Sequence, residues 1–160
     1  LASHLGVDPM KFRIDHLKEP RLTAVVNAAA KTFNWGKAKE ETGIGFGMAC
    51  ATVKGGFVAT FVEVAVERNS RKLKINKVVT AFECGVIINP RHLESQVTGC
   101  VLQGLGGALF EAVDFKGAKL TNAGLSSYRV PRFSDVPKME VILVNRKDLP
   151  SSGVGEAPIV

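Results

Sequence analysis

The sequence has few cysteines and aromatic residues and no long apolar run. Its three cysteines, Cys50, Cys84 and Cys100, are far apart and form no Cys-x-x-Cys pair. This disfavours a disulfide framework, a zinc ribbon and an iron–sulfur cluster held by this chain alone. All three lie among apolar neighbours, so we expect buried free thiols. No segment has the uninterrupted apolar length of a membrane span, and no signal peptide is visible.

Blocks of like charge are also absent, although the formal net charge is +6. Acidic residues separate the basic ones, and few aromatic side chains lie between them. We therefore expect no nucleic-acid surface, and only a long-range attraction of anionic ligands. Hydrophobic residues make up 46% and charged residues 22% of the 160 positions, which is typical of a globular protein with a real core.

Three segments have the apolar periodicity of helices. The first is firm only from Pro9, because Asp8-Pro9 is a cap followed by a first-turn proline. The third begins at Asn89-Pro90 for the same reason. A polar connection over residues 37–42 follows the second helix. The predicted helices are residues 4–19, 21–33 and 90–112.

The segment between the second and third helices has the pattern of a β meander. Residues 55–56, both glycine, are predicted to form a two-residue hairpin turn, and residues 69–71 the next turn. Residues 115–125 are turn-rich, with room for one short hairpin, and residues 126–136 are expected to be irregular. A C-terminal strand is predicted at residues 139–145. The strands of the meander are predicted at residues 43–53, 57–67 and 72–82.

These elements predict an α+β fold. Its antiparallel sheet would contain a meander of about three strands plus the C-terminal strand, packed with helices. We expect residues 1–160 to form a single incomplete domain, with residues 1–42 as a helical lead-in and residues 43–160 as the α+β core. Both ends look cut, since the chain starts at Leu1 rather than Met and stops at Val160 directly after a Gly-rich turn.

The third predicted helix contains four glycines, each of which costs about 1 kcal/mol relative to alanine. Either tight packing against another element requires them, or a ligand lies along the glycine face. In the second case Gln96 and Gln103 would serve as amide donors and acceptors. The sequence leaves both explanations open, and the cluster of glycines at 104–107 is also a candidate helix break. The glycines are Gly99, Gly104, Gly106 and Gly107.

A Gly-rich turn near the end of the chain presents a single carboxylate, Glu156. Gly153 and Gly155 leave the backbone free to approach a ligand, and Pro158 disfavours a helix at Ala157. A glutamate in such a turn is either a general base or a loop carboxylate in water. Spacing alone favours the second interpretation.

Five motifs spread over nearly the whole chain occur in an order that is specific to one family. In chain order they are Asp-Pro-Met-Lys-Phe-Arg at 8–13, Cys-Gly followed by Ile-Asn-Pro within 84–90, Gln-Val-Thr-Gly-Cys-Val-Leu-Gln-Gly-Leu-Gly at 96–106, Tyr-Arg-Val-Pro at 128–131, and Gly-Val-Gly-Glu at 153–156. This order resembles the molybdopterin-binding large subunit of the molybdenum hydroxylases, the xanthine dehydrogenase/aldehyde oxidase family. Within that family the chain is most similar to the C-terminal part of the isoquinoline 1-oxidoreductase and bacterial aldehyde oxidase type.

The resemblance implies a molybdopterin cofactor, whose molybdenum is held by the pterin dithiolene and not by protein ligands such as Cys84 or Cys100. It also implies that Glu156 is the catalytic base when an aldehyde or N-heteroaromatic carbon is hydroxylated with oxygen derived from water. This chemistry needs one base within hydrogen-bond reach of the reacting oxygen. The cofactor-binding residues implied by the resemblance are Gln96, Gln103, Gly104, Leu105, Gly106, Gly153, Val154 and Gly155.

The sequence also departs from the family pattern. Family members often have proline directly after the glutamate, whereas Ala157 stands between Glu156 and Pro158 here. We interpret this as a tolerated variant. The upstream half of the cofactor site and the iron–sulfur electron acceptor have no counterpart in these residues.

We therefore expect three partners: the rest of the molybdenum-binding subunit, an iron–sulfur subunit or domain, and a small-molecule substrate. Alone, the chain is expected to be inactive, to lose the cofactor, and to self-associate through exposed apolar surface. The cytosine-dinucleotide form of the cofactor is compatible with the resemblance, as is either a cytoplasmic or a periplasmic location in a bacterium. The alternative function is a non-catalytic α+β binding module of the same fold.

Overall fold

The computed structural model describes residues 1–37 and 42–160. Residues 38–41, most of the predicted polar connection, lie outside the described residues. The described chain contains three α-helices, a four-stranded sheet and a two-stranded hairpin. In chain order the elements are α1 (Pro9–His16), α2 (Pro20–Phe33), β1 (Ile44–Val53), β2 (Gly56–Val66), β3 (Leu73–Glu83), α3 (Pro90–Leu109), β4 (Phe115–Lys116), β5 (Lys119–Leu120) and β6 (Lys138–Leu143), with 3₁₀ turns at Leu125–Ser127, Phe133–Asp135 and Ala157–Ile159.

α1 is shorter than predicted at both ends. Asp8 accepts a hydrogen bond from the backbone N–H of Lys11 (2.8 Å), so the helix starts at the intervening proline and the residues before it are not helical. It ends at His16 instead of Glu19. The reason is that Glu19 takes an extended conformation ahead of Pro20 and caps α2 instead.

α2 and α3 agree closely with their predicted bounds. α2 ends at Phe33, because the next residue, Asn34, has a left-handed backbone (φ 64°) that stops the helix. At the start of α3, Asn89 accepts a hydrogen bond from the N–H of His92 (3.1 Å). α3 continues through its glycine cluster to Leu109, so the glycines do not break the helix.

β1, β2 and β3 form the predicted antiparallel meander. The turn between β1 and β2 is Lys54-Gly55, one residue earlier than predicted, and Gly56 is the first residue of β2. Both turn residues have positive φ (49° for Lys54 and 83° for Gly55), as a type I′ two-residue turn requires. The second turn includes Arg71 with φ 55°, inside the predicted turn at 69–71.

The fourth strand corrects the predicted sheet. β6 pairs with β3 in parallel, with Lys77 opposite Lys138, so the sheet has the order β1-β2-β3-β6 and is mixed instead of antiparallel. Between these two strands the chain crosses over through α3, the kind of long connection that parallel neighbours need. The α+β class and the short hairpin β4–β5 are confirmed. Residues 126–136, predicted to be irregular, contain no α-helix or strand, and their only regular structure belongs to two 3₁₀ turns.

Different helices cover the two faces of the sheet. β2 contributes to both cores by strict alternation, because Phe57, Ala59 and Phe61 face α2 whereas Val58 faces α3. Ala157, in the last 3₁₀ turn, packs in the core on the α3 side. That side therefore holds the segments in which the sequence predicts a site.

Candidate functional site

One cleft lies between the start of α3, the loop after β3 and the segment that precedes Glu156. Its volume is ≈ 470 Å³. Gln96 on α3 lines it together with Gly153 and Val154 from the C-terminal segment. The structure thus brings three of the predicted cofactor-binding residues together. The other lining residues are Cys84, Val86, Ile87, Ile88, Asn89, His92, Leu93, Ser95, Ser151 and Ser152.

The two loops that form this cleft are joined by hydrogen bonds. The backbone N–H of Ser152 donates to the carbonyl of Cys84 (2.8 Å), and its hydroxyl lies 3.1 Å from the same oxygen and 2.9 Å from the carbonyl oxygen of Gly55. Gly85 has φ 81°, and a Cβ there would collide with the carbonyl oxygen of Pro150. Only glycine fits at that position, so the approach of the two loops depends on it.

A buried ion pair lies at the base of the loop after β3. Glu83 is 1% exposed, and Arg21 on α2 donates to both of its carboxylate oxygens (Nε–Oε2 2.6 Å, Nη2–Oε1 2.8 Å). The N–H of Gly85 also donates to Glu83, and the Arg21 guanidinium lies 4.2 Å from the ring centre of Phe57. Burial by itself would raise the pKa of Glu83, but the hydrogen bonds from Arg21 and Gly85 outweigh it, so the pKa lies below its ordinary value.

The sequence analysis missed this pair and several residues of the cleft. A lone glutamate at the end of an apolar strand was the available signal for Glu83. His92 lies one helical turn before Gln96, so helical spacing could have placed it on the same face. Ser152 had no comparable signal, because its partners Cys84 and Gly55 are distant in the sequence.

Glu156 is exposed and lies beside α3, outside the residues that line the cleft. The preceding Gly155 has φ 52°, and its carbonyl oxygen is 3.5 Å from the sulfur of Cys100. Burial, and after it the negative charge of Glu156, raise the pKa of the Cys100 thiol. The two following residues, Ala157 and Pro158, are buried. The turn is therefore anchored on both sides of the glutamate, while the carboxylate itself faces solvent.

Apart from Gly155 in the C-terminal turn, the remaining predicted cofactor-binding residues lie elsewhere on α3. Gln103 lines a second cavity of ≈ 810 Å³ that also contains Phe133. Gly104 and Leu105 line a third cavity of ≈ 370 Å³. Gln96 and Gln103 share a helix face, but their spacing in the sequence separates them by about 10 Å along the axis. The structure does not bring Gln103 into the cleft.

The glycines of α3 fall into two groups. A Cβ at Gly104 would collide with the carbonyl oxygen of Ile159, and one at Gly106 would lie 2.9 Å from Cδ of Pro131. Close packing within the chain therefore explains these two. Gly99 and Gly107 are exposed. A Cβ at Gly99 would meet nothing within 4 Å, and one at Gly107 would meet only Oε1 of Glu111 at 4.0 Å. Packing among the described residues gives no reason for glycine at these two positions.

The side chains of the cleft offer both hydrogen-bond donors and acceptors. They include the amide of Gln96, the hydroxyls of Ser95 and Ser152, and the imidazole of His92. No Asp, Glu, Lys or Arg lines the cleft in the described chain, and a Cβ at Gly153 would meet nothing within 4 Å. This set suits a neutral heterocycle with a hydrogen-bonding edge, and the pterin of molybdopterin has such an edge.

Among residues 1–37 and 42–160, no three His, Cys, Asp or Glu side chains are grouped so that they could hold a metal ion. Cys84 and Cys100 are buried free thiols, as predicted, whereas Cys50 is only partly buried because it lies on the edge strand β1. In the same part of the chain, none of the helices combines the length and the apolar character needed to cross a membrane.

Comparison with known proteins gives consistent matches. The family model described as a molybdopterin cofactor-binding domain matches residues 11–137. The beta subunit of isoquinoline 1-oxidoreductase from Brevundimonas diminuta is 32% identical over 159 residues, which cover 98% of this chain and 20% of the relative. Aldehyde oxidoreductase molybdenum-binding subunit PaoC from Escherichia coli (strain K12) is 32% identical over 164 residues, which cover 98% of this chain and 22% of the relative. A nicotinate dehydrogenase subunit from Pseudomonas putida is 27% identical over 176 residues, which cover 100% of this chain and 15% of the relative. The chain spans about a fifth of the length of these curated relatives.

Solved structures agree with these matches. Quinoline 2-oxidoreductase from Pseudomonas putida 86 has a TM-score of 0.59 at 23% identity, over 65% of this chain and 14% of that chain, which shows the fold alone. Aldehyde oxidoreductase from Desulfovibrio desulfuricans ATCC 27774 has a TM-score of 0.53 at 30% identity, over 65% of this chain and 12% of that chain. The predicted resemblance is confirmed. The chain belongs to the molybdenum hydroxylases of the xanthine dehydrogenase/aldehyde oxidase family, as a molybdopterin cofactor-binding domain.

Proposed function

We propose that this chain forms one wall of the molybdopterin site in a larger molybdenum-binding subunit, and that this subunit hydroxylates an aldehyde or an N-heteroaromatic carbon with oxygen from water. The observation that carries the proposal is the cleft where Gln96, Gly153 and Val154 meet, next to the turn with Glu156. The names of the relatives support both substrate classes, since they include an aldehyde oxidoreductase, an isoquinoline oxidoreductase and a nicotinate dehydrogenase. The isolated chain would be inactive because the rest of the site lies outside it.

In this proposal Gln96 binds the pterin. Its amide can donate from Nε2 and accept at Oε1, and it is exposed at the cleft. Gly153 lets the backbone approach the cofactor because it has no Cβ. When bound, the molybdopterin supplies the oxidation chemistry itself. Gln103, exposed in the neighbouring cavity, would contact a more distant part of the cofactor. Contacts of the cofactor with Gly104, Leu105, Gly106 and Gly155 stay predictions that rest on the resemblance.

Glu156 is the proposed catalytic base. Its carboxylate would take the proton from the attacking oxygen, which requires a hydrogen bond between them. The exposed position of Glu156 makes the carboxylate accessible from outside this chain. A Cβ at Gly155 would meet nothing within 4 Å, so a ligand has room beside the turn. The anchored residues on both sides would hold the base in place.

Glu156→Gln tests this role, because glutamine keeps the size of the side chain but cannot accept the proton. We expect the molybdenum-binding subunit to keep its molybdenum and pterin and to lose about 10²–10⁴-fold in turnover. Glu94 is an exposed carboxylate on α3, whereas Glu156 lies in the C-terminal turn. Glu94→Gln makes the same chemical change and is the matched control, which should keep full turnover. Undiminished turnover in Glu156→Gln would exclude this residue as the base.

Gln96→Ala tests the cofactor contact. We expect a lower molybdenum and pterin content, measured by metal analysis and by fluorescence of the oxidised pterin. Gly99→Ala should leave the melting temperature of the chain unchanged or raise it, since an added Cβ meets nothing. Lower cofactor content in Gly99→Ala would show that a ligand lies along this helix face. Unchanged content in both variants would contradict cofactor binding by α3.

A non-catalytic binding module is the second candidate function. The exposure of Glu156 and its position outside the cleft lining favour it. In that case Glu156→Gln would leave the turnover of any enzyme that contains this chain unchanged, while Gln96→Ala would still weaken binding. The two variants together distinguish the candidates.

We further propose that iron–sulfur clusters in a partner subunit or domain accept the electrons, and that the cofactor has the cytosine-dinucleotide form. The relatives from isoquinoline 1-oxidoreductase and nicotinate dehydrogenase are each named as one subunit of an enzyme, which supports a partner. The three cysteines of this sequence are too far apart for a cluster motif. Copurification of an iron-containing subunit and release of cytidine monophosphate on hydrolysis of the cofactor are the respective tests.

A further inference from the structure

β1 forms one edge of the four-stranded sheet and pairs only with β2 in the described chain. The N–H of Val66 donates to the carbonyl of Gly43 (2.7 Å), which fixes the residues of β1 that bond to β2. In an antiparallel pair, such residues alternate with residues whose N–H and C=O groups point away. Among residues 1–37 and 42–160, no backbone hydrogen bond outside the helices and strands involves these outward N–H and C=O groups. The outward residues are Ile44, Phe46, Met48, Cys50 and Thr52.

This edge lacks the features that usually prevent the addition of another strand. β1 is ten residues long, has no charged residue and no proline, and pairs with β2 in one unbroken register. β6, at the opposite edge, is six residues long and carries exposed Lys138 and Glu140. One edge of the sheet is thus protected and the other is not. A long, uncharged edge is a template for strand pairing.

The side chains of β1 also leave room for a neighbour. Phe46, Met48 and Cys50 pack against the core on the α2 side but are only partly buried. On the other face Gly47 is exposed, and a Cβ there would meet nothing within 4 Å. A further strand would cover the remaining apolar surface of Phe46, Met48 and Cys50, and it could approach the backbone closely at Gly47.

We propose that the β1 edge binds an extended strand from the rest of the molybdenum-binding subunit and so lengthens the sheet to five strands. The inference rests on the proposed function, in which a larger subunit contains this chain. The chain spans about a fifth of its curated relatives, so most of such a subunit lies outside it. The rest of the subunit is favoured over a second copy of this chain as the occupant, because a strand of the same polypeptide has a much higher local concentration than a separate molecule.

Hydrogen exchange at the β1 amides tests this pairing. In the complete molybdenum-binding subunit, Phe46 and Met48 should exchange as slowly as the inward Gly47 and Ala49. In the 160-residue chain alone, we expect the two outward amides to exchange at least about tenfold faster than the inward ones, at any protein concentration. Fast outward amides in the subunit would overturn the inference. Protection that grows with the concentration of the isolated chain would identify a second copy and overturn it too.

Gly47→Lys gives an independent test, because it adds the charge that protects natural edges. Gly47→Gln adds a comparably long side chain without charge and is the matched control. Gly47 lines the third cavity together with Gly104 and Leu105, and a Cβ there would meet nothing within 4 Å. Because this cavity has room for either side chain, both variants should leave the melting temperature of the isolated chain nearly unchanged. In the complete subunit the lysine variant should melt at a clearly lower temperature than the glutamine variant. Equal melting temperatures of the two subunit variants would refute strand pairing at this edge.

These measurements separate the inference from the proposed function, because hydrogen exchange needs no turnover. Protected Phe46 and Met48 amides with full turnover in Glu156→Gln would refute only the proposed base. Unprotected amides with turnover lost in Glu156→Gln would refute only the strand pairing.

Discussion

Arg21→Met would leave the carboxylate of Glu83 buried without its counter-charge. The side chain of Glu83 is 2% exposed and that of Arg21 27%. Removing one partner of a buried ion pair typically costs about 3–5 kcal/mol. We expect about 3 kcal/mol, at the lower end, because Arg21 is partly exposed and the N–H of Gly85 still donates to Glu83. For a domain of this size, the melting temperature would fall by about 6–12 °C.

Urea unfolding followed by circular dichroism measures this loss, provided that the m-value stays constant. Lys11→Met is the matched control, because the Lys11–Asp15 pair is exposed and should contribute less than about 0.5 kcal/mol. The double variant Arg21→Met/Glu83→Leu should recover part of the lost stability, since it leaves no buried charge. A loss below about 1 kcal/mol for Arg21→Met, or no recovery in the double variant, would refute the reasoning.

The same pair makes stability depend on pH. Burial opposes the ionisation of Glu83, but the Arg21 and Gly85 hydrogen bonds lower its folded-state pKa below the ordinary value. Its contribution is therefore fully present above the unfolded pKa of about 4.3 and is lost as pH falls through the lower folded pKa. We expect a smaller acid-induced loss of unfolding free energy in Arg21→Met than in the wild type. Equal losses would mean that Arg21 does not hold the pKa down.

Two further predictions concern packing and thiol access. Gly104→Ala should cost about 1–3 kcal/mol, because the added Cβ collides with the carbonyl oxygen of Ile159. A melting temperature equal to that of the wild type would contradict this close approach. Alkylation should label the partly exposed Cys50 first. Cys84 and Cys100 are buried, and burial raises the pKa of both thiols, so they should react only after unfolding. Peptide mass spectrometry checks the order, and early labelling of Cys84 would contradict it.

The helices and the meander are predictable from the sequence because their signals are local. Asn89-Pro90 starts α3 through one hydrogen bond to the next turn. The direction of β6 has no local signal of this kind, because it depends on the side from which the chain returns to the sheet after α3. The shift of the first turn to Lys54-Gly55 depends on a lysine with positive φ, which sequence reasoning does not expect.

The candidate site is less predictable because distant residues form it. From its residues alone, the turn of Glu156 has no more than a modest functional signal, and the proposed role of this glutamate rests on the family resemblance. Glu83 finds Arg21 across 62 residues, so neither one marks the other in the sequence. Gln96 and Gln103 look equivalent on a helical wheel, but the rise of the helix places them at different cavities.

The parallel pairing of β3 with β6 has a consequence for the order of folding. The β1-β2-β3 meander joins neighbours in the sequence, whereas β6 pairs with β3 across the long connection that contains α3 and so has a larger loop-closure cost. Ser152, in the wall of the cleft, bonds to Gly55 across 97 residues and to Cys84 across 68. We therefore expect the cleft to close late, so that under the proposed function only the nearly complete fold within its subunit would bind the cofactor. A nascent chain that ends before β6 would form the meander without a wall against which molybdopterin can bind.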